Sequence, residues 1–414
     1  MRFTVENFGC RVNQAEASKW IEKLQLYGWK WEKDFTRSDV IIVNTCTLTS
    51  KADQEARKLI RKIIRNNSKA KIIVTGCYAE RAYDYFSTIP EIWAIFKNYE
   101  KEKIPEKLIE IFCAKEDSLS KTKYFRARAF VKIQDGCNFR CSFCIIPAVR
   151  GKSKSKPLAD ILKEVENYVS HGFKEIVLCG IHLCSYGLDL NPRTSLIELI
   201  KKLENKANKI RLSSLDPRFL DSEKINYLTS SQIIAPHFHL SFQSGSKKIL
   251  KKMNRNSDPE EYKEILYLFS KFSPDASIGT DIIVGFPGET DKEFEETYEF
   301  LKNSPLTYFH VFPFSPRPGT PAYDFPQING KIKKERVNIL RKLSAEKNFQ
   351  FRKRFLNKTL KGIIIKHCKD FTEFLTYNYI KVKIPPSPAL RVGDEKEVKI
   401  RKVSLSSTEG KIIF

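Results

Sequence analysis

The sequence of 414 residues predicts an α/β protein in three parts. These are an N-terminal parallel α/β sheet domain (1–118), a central partial (β/α)6 barrel (119–356) and a small C-terminal β-barrel (357–414). Three observations carry this. Short β-branched runs alternate with amphipathic stretches through the first hundred residues, six more strand candidates alternate with helices in the middle, and the end turns β-rich. The length itself exceeds one ordinary core.

In the first part, Phe3 to Phe8, Val40 to Asn44 and Ile72 to Thr75 are the strand candidates, and Ala15 to Tyr27 and Lys51 to Arg65 carry helical periodicity. One cysteine follows each strand: Cys10, Cys46 and Cys77. Parallel strands end along one sheet edge, where ligands gather, so three cysteines far apart in sequence can converge on one site. A single such cysteine is usually a small buried hydrophobe. Three at the same topological place point to a cluster.

The six central strand candidates are Ala129 to Gln134, Glu175 to Gly180, Ile210 to Leu215, His237 to Phe242, Ser277 to Gly285 and Tyr308 to Phe314. Pro157 stands at a first helical position, followed by a stripe of Leu158, Ile161, Leu162, Val165 and Val169 that stops at Gly172. In βα barrels the chemistry sits at the carboxyl ends of the strands. There the sequence offers Gly180, Ser213, Gln243 and Asp281, a mixture of backbone, hydroxyl, amide and carboxylate groups suited to a nucleoside cofactor. Each alone is ordinary turn chemistry; the repetition on successive strands is what counts.

The loop after the first of these strands carries Cys137, Cys141 and Cys144 in CxxxCxxC spacing. Thiolates are the ligands of iron–sulfur clusters, and a four-iron cube normally takes four, so three leave one iron open for a substrate or cofactor. A structural zinc loop would need a fourth ligand, for which His171 and Cys179 are the loose candidates. Ten cysteines without a charged-then-apolar leader indicate a reducing compartment, the cytoplasm, and the apolar runs are too short for a membrane span.

Lys and Arg number 73 against 49 Asp and Glu, a formal net charge of +24 that favours nucleic acid over acidic partners. Positive charge concentrates from Lys331 to Lys358, which reads as a phosphate-facing stretch. The last segment has strand candidates at Leu360 to Lys366, Tyr379 to Ile384, Glu397 to Val403 and Gly410 to Phe414, punctuated by Pro385-Pro386 and Gly393-Asp394. It carries twelve Lys and Arg against six Asp and Glu, and Phe371, Phe374, Tyr377 and Tyr379 stand among them either as base-stacking rings or as core filling.

Taken together these residues resemble a known family. The Cys137 loop, with an aromatic just before its last cysteine, resembles the radical S-adenosylmethionine (SAM) superfamily. Over nearly the whole chain the sequence is similar to its methylthiotransferases. Gly9-Cys-Arg-Val-Asn-Gln14, Asn44-Thr-Cys-Thr-Leu-Thr49 and Thr75-Gly-Cys-Tyr-Ala79 resemble the three cysteine motifs of that family's first domain. Ile146-Pro-Ala-Val-Arg-Gly151 and Phe314-Ser-Pro-Arg-Pro-Gly-Thr320 resemble its radical domain, and the end resembles its RNA-binding TRAM barrel, which is OB-like.

The resemblance implies two [4Fe–4S] clusters and SAM. Cys137, Cys141 and Cys144 would hold the cluster that generates a radical, as the catalytic set, and Cys10, Cys46 and Cys77 the one that carries sulfur. It implies as partners the tRNA anticodon arm and an electron donor such as a flavodoxin or ferredoxin, with no membrane. The sequences around Cys10, Cys46 and Cys137 look most like the branch that modifies N6-threonylcarbamoyladenosine in tRNA. Alternatives are the branches acting on isopentenyladenosine in tRNA or on a ribosomal-protein aspartate, and, from another class, a non-catalytic iron–sulfur RNA-binding sensor. Lys152, Lys154 and Lys156 stand where the family shows arginines, keeping the charge without the bidentate fork. Cys179 and Cys184 read as buried thiols, and Cys113 and Cys368 have no assigned role.

Overall fold

The structure, a computed structural model, describes residues 1–113, 124 and 126–413. The expected domain junction at 118/119 lies outside them. The chain forms two compact units, one of Met1–Phe125, Asp135–Lys154 and Ser315–Tyr323, the other of Arg126–Gln134, Ser155–Phe314 and Asp324–Phe414. Among the described residues no helix is long and apolar enough to cross a membrane.

The first unit is built on a five-stranded parallel sheet: β1 (Arg2–Asn7), β2 (Lys30–Trp31), β3 (Val40–Thr45), β4 (Lys71–Gly76) and β5 (Ile92–Phe96) in the order β2-β1-β3-β4-β5. Between them run α1 (Arg11–Leu26), α2 (Ser50–Asn66), α3 (Cys77–Arg81) and α4 (Tyr83–Ser87), followed by α5 (Ile104–Ile111). The strand β3 is wholly buried because both faces of the sheet are covered. Val40 and Ile42 pack with Trp20, Leu24 and Leu108. Ile41 and Val43, pointing the other way, pack with Ala56, Ile60 and Phe86. Thr49 starts α2 by accepting the Ala52 N–H on its hydroxyl. The sequence missed β2 and β5, a two-residue edge and a strand whose Trp93 is exposed.

In the second unit, β6 (Ala129–Lys132), β9 (Ile176–Cys179) and β10 (Ile210–Leu212) pair in parallel, as do β11 (His237–Gln243), β12 (Ser277–Val284) and β13 (Tyr308–Pro313). Single parallel bridges, Ile210 to Ile234 and Leu215 to Leu240, join the two sheets, so six strands follow one another in an open partial barrel. The two-residue strands β7 (Gln134–Asp135) and β8 (Lys154–Ser155) flank the segment that belongs to the first unit, which contains α6 (Ile146–Arg150). Helices α7 (Leu158–Ser170), α8 (Leu196–Leu203), α9 (Ser222–Ser230), α10 (Lys247–Lys252), α11 (Pro259–Phe272) and α12 (Asp291–Asn303) fill the intervals, and α13 (Gly330–Lys353) follows β13.

The end of the chain closes a five-stranded barrel, β14 (Thr359–His367), β15 (Thr372–Thr376), β16 (Lys381–Ile384), β17 (Glu395–Val403) and β18 (Thr408–Ile413), in the order β14-β15-β16-β18-β17. The expected strand at Gly410 ends at Ile413, and Phe414 lies outside the described residues. The sequence also missed β15, whose alternation Thr-Glu-Phe-Leu-Thr is short and mixed.

The basic stretch and the terminal aromatics expected near RNA divide between surface and interior. The Lys331 to Lys358 stretch is not uniformly outward: Arg336 is buried on Glu289 (2.6 Å) and Asp291 (2.7 Å), and Arg352 is buried on the carbonyls of Ser407 and Leu405. Of the two readings open for the aromatics, core filling holds for Phe374 and Tyr377, which are buried, while Phe371 and Tyr379 are half-buried. Phe374 fills the terminal barrel, and Tyr377 packs with Ala127 and Ile363. Tyr379, held at φ +70, stacks on His237 with ring centroids 3.9 Å apart.

Beneath that ring lies a buried ion pair. Arg211 sits 4.9 Å from the Tyr379 ring and gives Nε and Nη2 to the Glu175 carboxylate at 2.7 and 2.9 Å. Burial works to raise the Glu175 carboxyl, but Arg211 and Arg128 hold it below the ordinary range. Replacing Glu175 by Ala strands a fully buried guanidinium, so urea unfolding should show a loss of about 3–5 kcal/mol. A loss under about 1 kcal/mol, the value of an exposed pair, would contradict the assignment.

Candidate metal centres

The strands β1, β3 and β4 are neighbours in one parallel sheet, and the three N-terminal cysteines sit just past their carboxyl ends. Cys10 caps α1 in extended conformation, Cys46 is the residue after β3, and Cys77 opens α3 directly after β4. Cys46 and Cys77 are buried and Cys10 half-buried. The sulfurs lie near enough for their charges to repel. Burial pushes the Cys10 thiol up and the Cys46 thiol up to about 12, and the neighbouring cysteines add to both shifts. Such thiols ionise when a cation takes the proton's place.

The chain keeps this space open. Gly9 has φ +92, and a Cβ there would stand 2.8 Å from the Cys46 sulfur. Asn13 braces the turn, donating from Nδ2 to the carbonyls of Phe8 (2.8 Å) and Thr45 (3.2 Å). Among the described residues no group of three or more His, Cys, Asp or Glu side chains is arranged to hold a metal ion. Adjacent strands are about 4.8 Å apart, so cysteines past three successive strands spread over about 10 Å. That spacing suits a multi-iron cluster, which takes each thiolate on a different iron, and not a lone ion.

The segment bearing Cys137, Cys141 and Cys144 belongs to the same unit. Its backbone is pinned by Cys137 N–H to Gly151 O (3.1 Å) and Cys144 N–H to Cys141 O (3.0 Å), and all three cysteines are half-buried. At Gly136, φ +67, a Cβ would meet the Lys152 carbonyl oxygen at 2.0 Å, so only glycine fits before Cys137. This turn carries three half-buried thiols within eight residues, a donor set that fits a three-thiolate cluster.

Two buried arginines tie distant segments into this unit. Arg150, at the end of α6, gives Nε to the Cys77 sulfur (3.1 Å) and Nη1 to Asp135 (2.7 Å) and Glu16 (3.3 Å), while Nη2 reaches Asn13. Burial opposes its charge, yet Cys77, Glu16 and Asp135 hold it protonated well above the ordinary range. Lys101, equally buried, shares Glu16 at 2.8 Å. Arg317 gives Nη1 to Asp53 (2.7 Å), which also takes Arg81 (2.7 Å) and the Thr47 hydroxyl (2.7 Å). Sequence reasoning gave none of these a role, although Arg150 and Arg317 fall inside quoted motifs.

In the second unit, Gly180, Ser213 and Gln243 stand at the ends of β9, β10 and β11, and the Gly180 N–H faces the Ser213 hydroxyl at 3.4 Å. Gln243 adopts φ +74. Asp281 lies inside β12 and not at its end, paired with His239 Nε2 at 3.1 Å. The same strand ends hold a cluster the sequence did not flag. Asp216 takes His182 Nε2 (3.0 Å), Arg218 (2.6 Å) and Arg255 (3.4 Å), which keep its carboxyl well below the ordinary range against burial. Cys179 is fully buried and the Cys184 thiol is pushed up to about 12 by burial. The spacing of the Ser213-Ser-Leu-Asp216 run past β10 was the available signal.

Comparison with known proteins bears on both units. Residues 131–301 match the Radical SAM superfamily, and residues 2–96 match the uncharacterised protein family UPF0004. The chain is 39% identical to the threonylcarbamoyladenosine tRNA methylthiotransferase MtaB of Aquifex aeolicus, across 92% of this chain and 96% of that one. It is 37% identical to the MtaB of Rickettsia prowazekii, across 93% and 91%. A tRNA-2-methylthio-N(6)-dimethylallyladenosine synthase of a Sulfurihydrogenibium species is 31% identical across 100% and 99%. Among solved structures, the radical SAM methyltransferase TsrM of Kitasatospora setae superposes with TM-score 0.56 at 14% identity, over 78% and 76%. That likeness speaks for the fold alone.

If Gly9 is open for the reason given, Gly9→Ala combines left-handed strain with a clash on Cys46. Thermal unfolding should report about 2–4 kcal/mol of lost stability. An unchanged melting temperature would mean that the turn tolerates a side chain and that the opening has no structural basis.

Proposed function

The chain belongs to the radical SAM tRNA methylthiotransferases, and from that membership we propose that it adds a 2-methylthio group to threonylcarbamoyladenosine-37 of tRNA. The observation that carries the substrate is the similarity at 37–39% identity, across nearly the full length, to relatives named for that nucleoside. As a member of that family the enzyme uses SAM and two [4Fe–4S] clusters.

We assign one cluster to Cys137, Cys141 and Cys144 and the other to Cys10, Cys46 and Cys77. When bound, the first would supply, with SAM, a 5′-deoxyadenosyl radical, and the second would supply the sulfur. For SAM itself we propose Gly180 and Ser213 through backbone and hydroxyl, Gln243 through its amide and Asp281 through its carboxylate. Gln243 supports this by its forced φ, since a strained backbone at a strand end aims a side chain that an ordinary turn would not. The His239 imidazole fixes the Asp281 carboxylate in one orientation.

The remaining residues hold these groups in place. Asn13 and Gly9 shape the turn after β1 and leave room beside Cys46. Arg317 and Asp53 anchor the segment after β13 to the start of α2, within the first unit. We further propose the anticodon arm as the tRNA region bound, a flavodoxin- or ferredoxin-type protein as electron donor, and the cytoplasm as the place of work, where tRNA is found. The exposed basic residues of the terminal barrel, among them Lys369, Arg401, Lys402 and Lys411, would supply the phosphate-directed charge.

The test is the tRNA of cells lacking the protein. Mass spectrometry of its nucleosides should show threonylcarbamoyladenosine without the 2-methylthio form, restored on complementation. Persistence of that form, with methylthio-isopentenyladenosine or a methylthiolated ribosomal-protein aspartate lost instead, would overturn the substrate.

A further inference from the structure

The guanidinium of Arg150 is 1% exposed, and its donors fan out to four different residues. Nε faces a cysteine sulfur, Nη1 two carboxylates and Nη2 an amide oxygen. Only a planar, permanently charged fork meets partners in these directions at once; an ammonium on a flexible stem would not hold the same geometry. The residue comes from α6, which starts two positions after Cys144, yet it ends on Cys77, 73 positions earlier. Salt bridges alone do not explain it. Glu16 already has Lys101 at 2.8 Å and Asp135 is partly open to water, whereas the Nε–H is spent on sulfur.

We propose that Arg150 is a positioning residue for the cluster on Cys77, where its hydrogen bond and buried positive charge stabilise the reduced form of the cluster and raise its reduction potential. The proposal rests on the reading that Cys10, Cys46 and Cys77 ligate a cluster. The couple concerned is the one-electron step between the 2+ and 1+ cores, and each electron added makes the site more anionic. A donor to a ligating sulfur and a cation close by both favour the more anionic state, by hydrogen bonding and by Coulomb attraction in a low-dielectric interior. Glu16 and Asp135 temper the charge but sit on Nη1, while Nε faces the sulfur and Nη2 the Asn13 amide oxygen.

The same contact makes Arg150 a gauge between the two cysteine sets. Its helix continues the loop that carries Cys137, Cys141 and Cys144, and its side chain registers that loop against Cys77. A shift of the loop would break the bond to sulfur, and the electronics of one site would then follow the placement of the other.

The experiment uses the full chain with Cys137, Cys141 and Cys144 replaced by Ala, reconstituted anaerobically so that one cluster remains, and titrated with dithionite under electron paramagnetic resonance. Arg150→Gln and Arg150→Lys are made in that background. The midpoint potential should fall on Arg150→Gln by at least a tenfold change in the reduction equilibrium, about 59 mV for one electron. Arg150→Lys, which keeps the charge and loses the fork, should fall by less. Potentials unchanged in both variants at full iron content would overturn the proposal. Should Arg150→Gln fail to hold iron, Arg150→Lys decides alone, an unchanged potential again overturning it. Absence of any cluster in the background protein would instead overturn the ligand reading on which the proposal stands.

Discussion

In a parallel sheet every strand points the same way, so every carboxyl end lies on one edge and the chain must return through a crossover before it can contribute again. The rest of the molecule depends on that constraint. It brings residues 10, 46 and 77 together although two helices separate them, because β1, β3 and β4 are adjacent and each cysteine comes just past its strand. The partial barrel applies the same rule a second time, lining its carboxyl ends with Gly180, Ser213, Gln243 and the Asp216 group. Strand spacing then sets the scale of what can be held. Three strands apart by about 4.8 Å suit a cube and not a lone cation.

Polar chemistry at such an edge has to be introduced into an apolar interior, and the charged residues there are partnered accordingly. Arg150 and Lys101 share Glu16, and Arg317 and Arg81 share Asp53. Buried ion pairs add little net stability, since desolvation cancels most of the attraction, but breaking one is costly. Their value here is register. Each joins a segment remote in sequence to the sheet, so that residues 135–154 and 315–323 belong to the N-terminal unit and not to the barrel that precedes and follows them in sequence.

Much of this was legible in the sequence, for a physical reason in each case. The strands β3 and β4 announced themselves because continuous β-branched runs mark strands buried on both faces. The cysteines were visible because their spacing is local, or repeats at one topological place. What escaped depends on long-range contact. Nothing in a single sequence says that Arg150 meets Cys77 or that Tyr379 stacks on His237. Composition misled where burial decides: Arg336 and Arg352 count as surface charge in a tally, yet each is buried against named acceptors. Asp281 was counted among the strand-end groups although the strand expected from Ser277 to Gly285 already contained it, and β12 does run through it to Val284.

We propose that radical formation and sulfur delivery belong to separately ligated clusters. The most direct test is the protein with Cys10, Cys46 and Cys77 replaced by Ala, assayed anaerobically for iron, for 5′-deoxyadenosine and for methylthiolated tRNA. That variant should keep about half the iron, continue to release 5′-deoxyadenosine on reduction, and form no methylthio product. A folded variant that retains half the iron yet cleaves no SAM would contradict it.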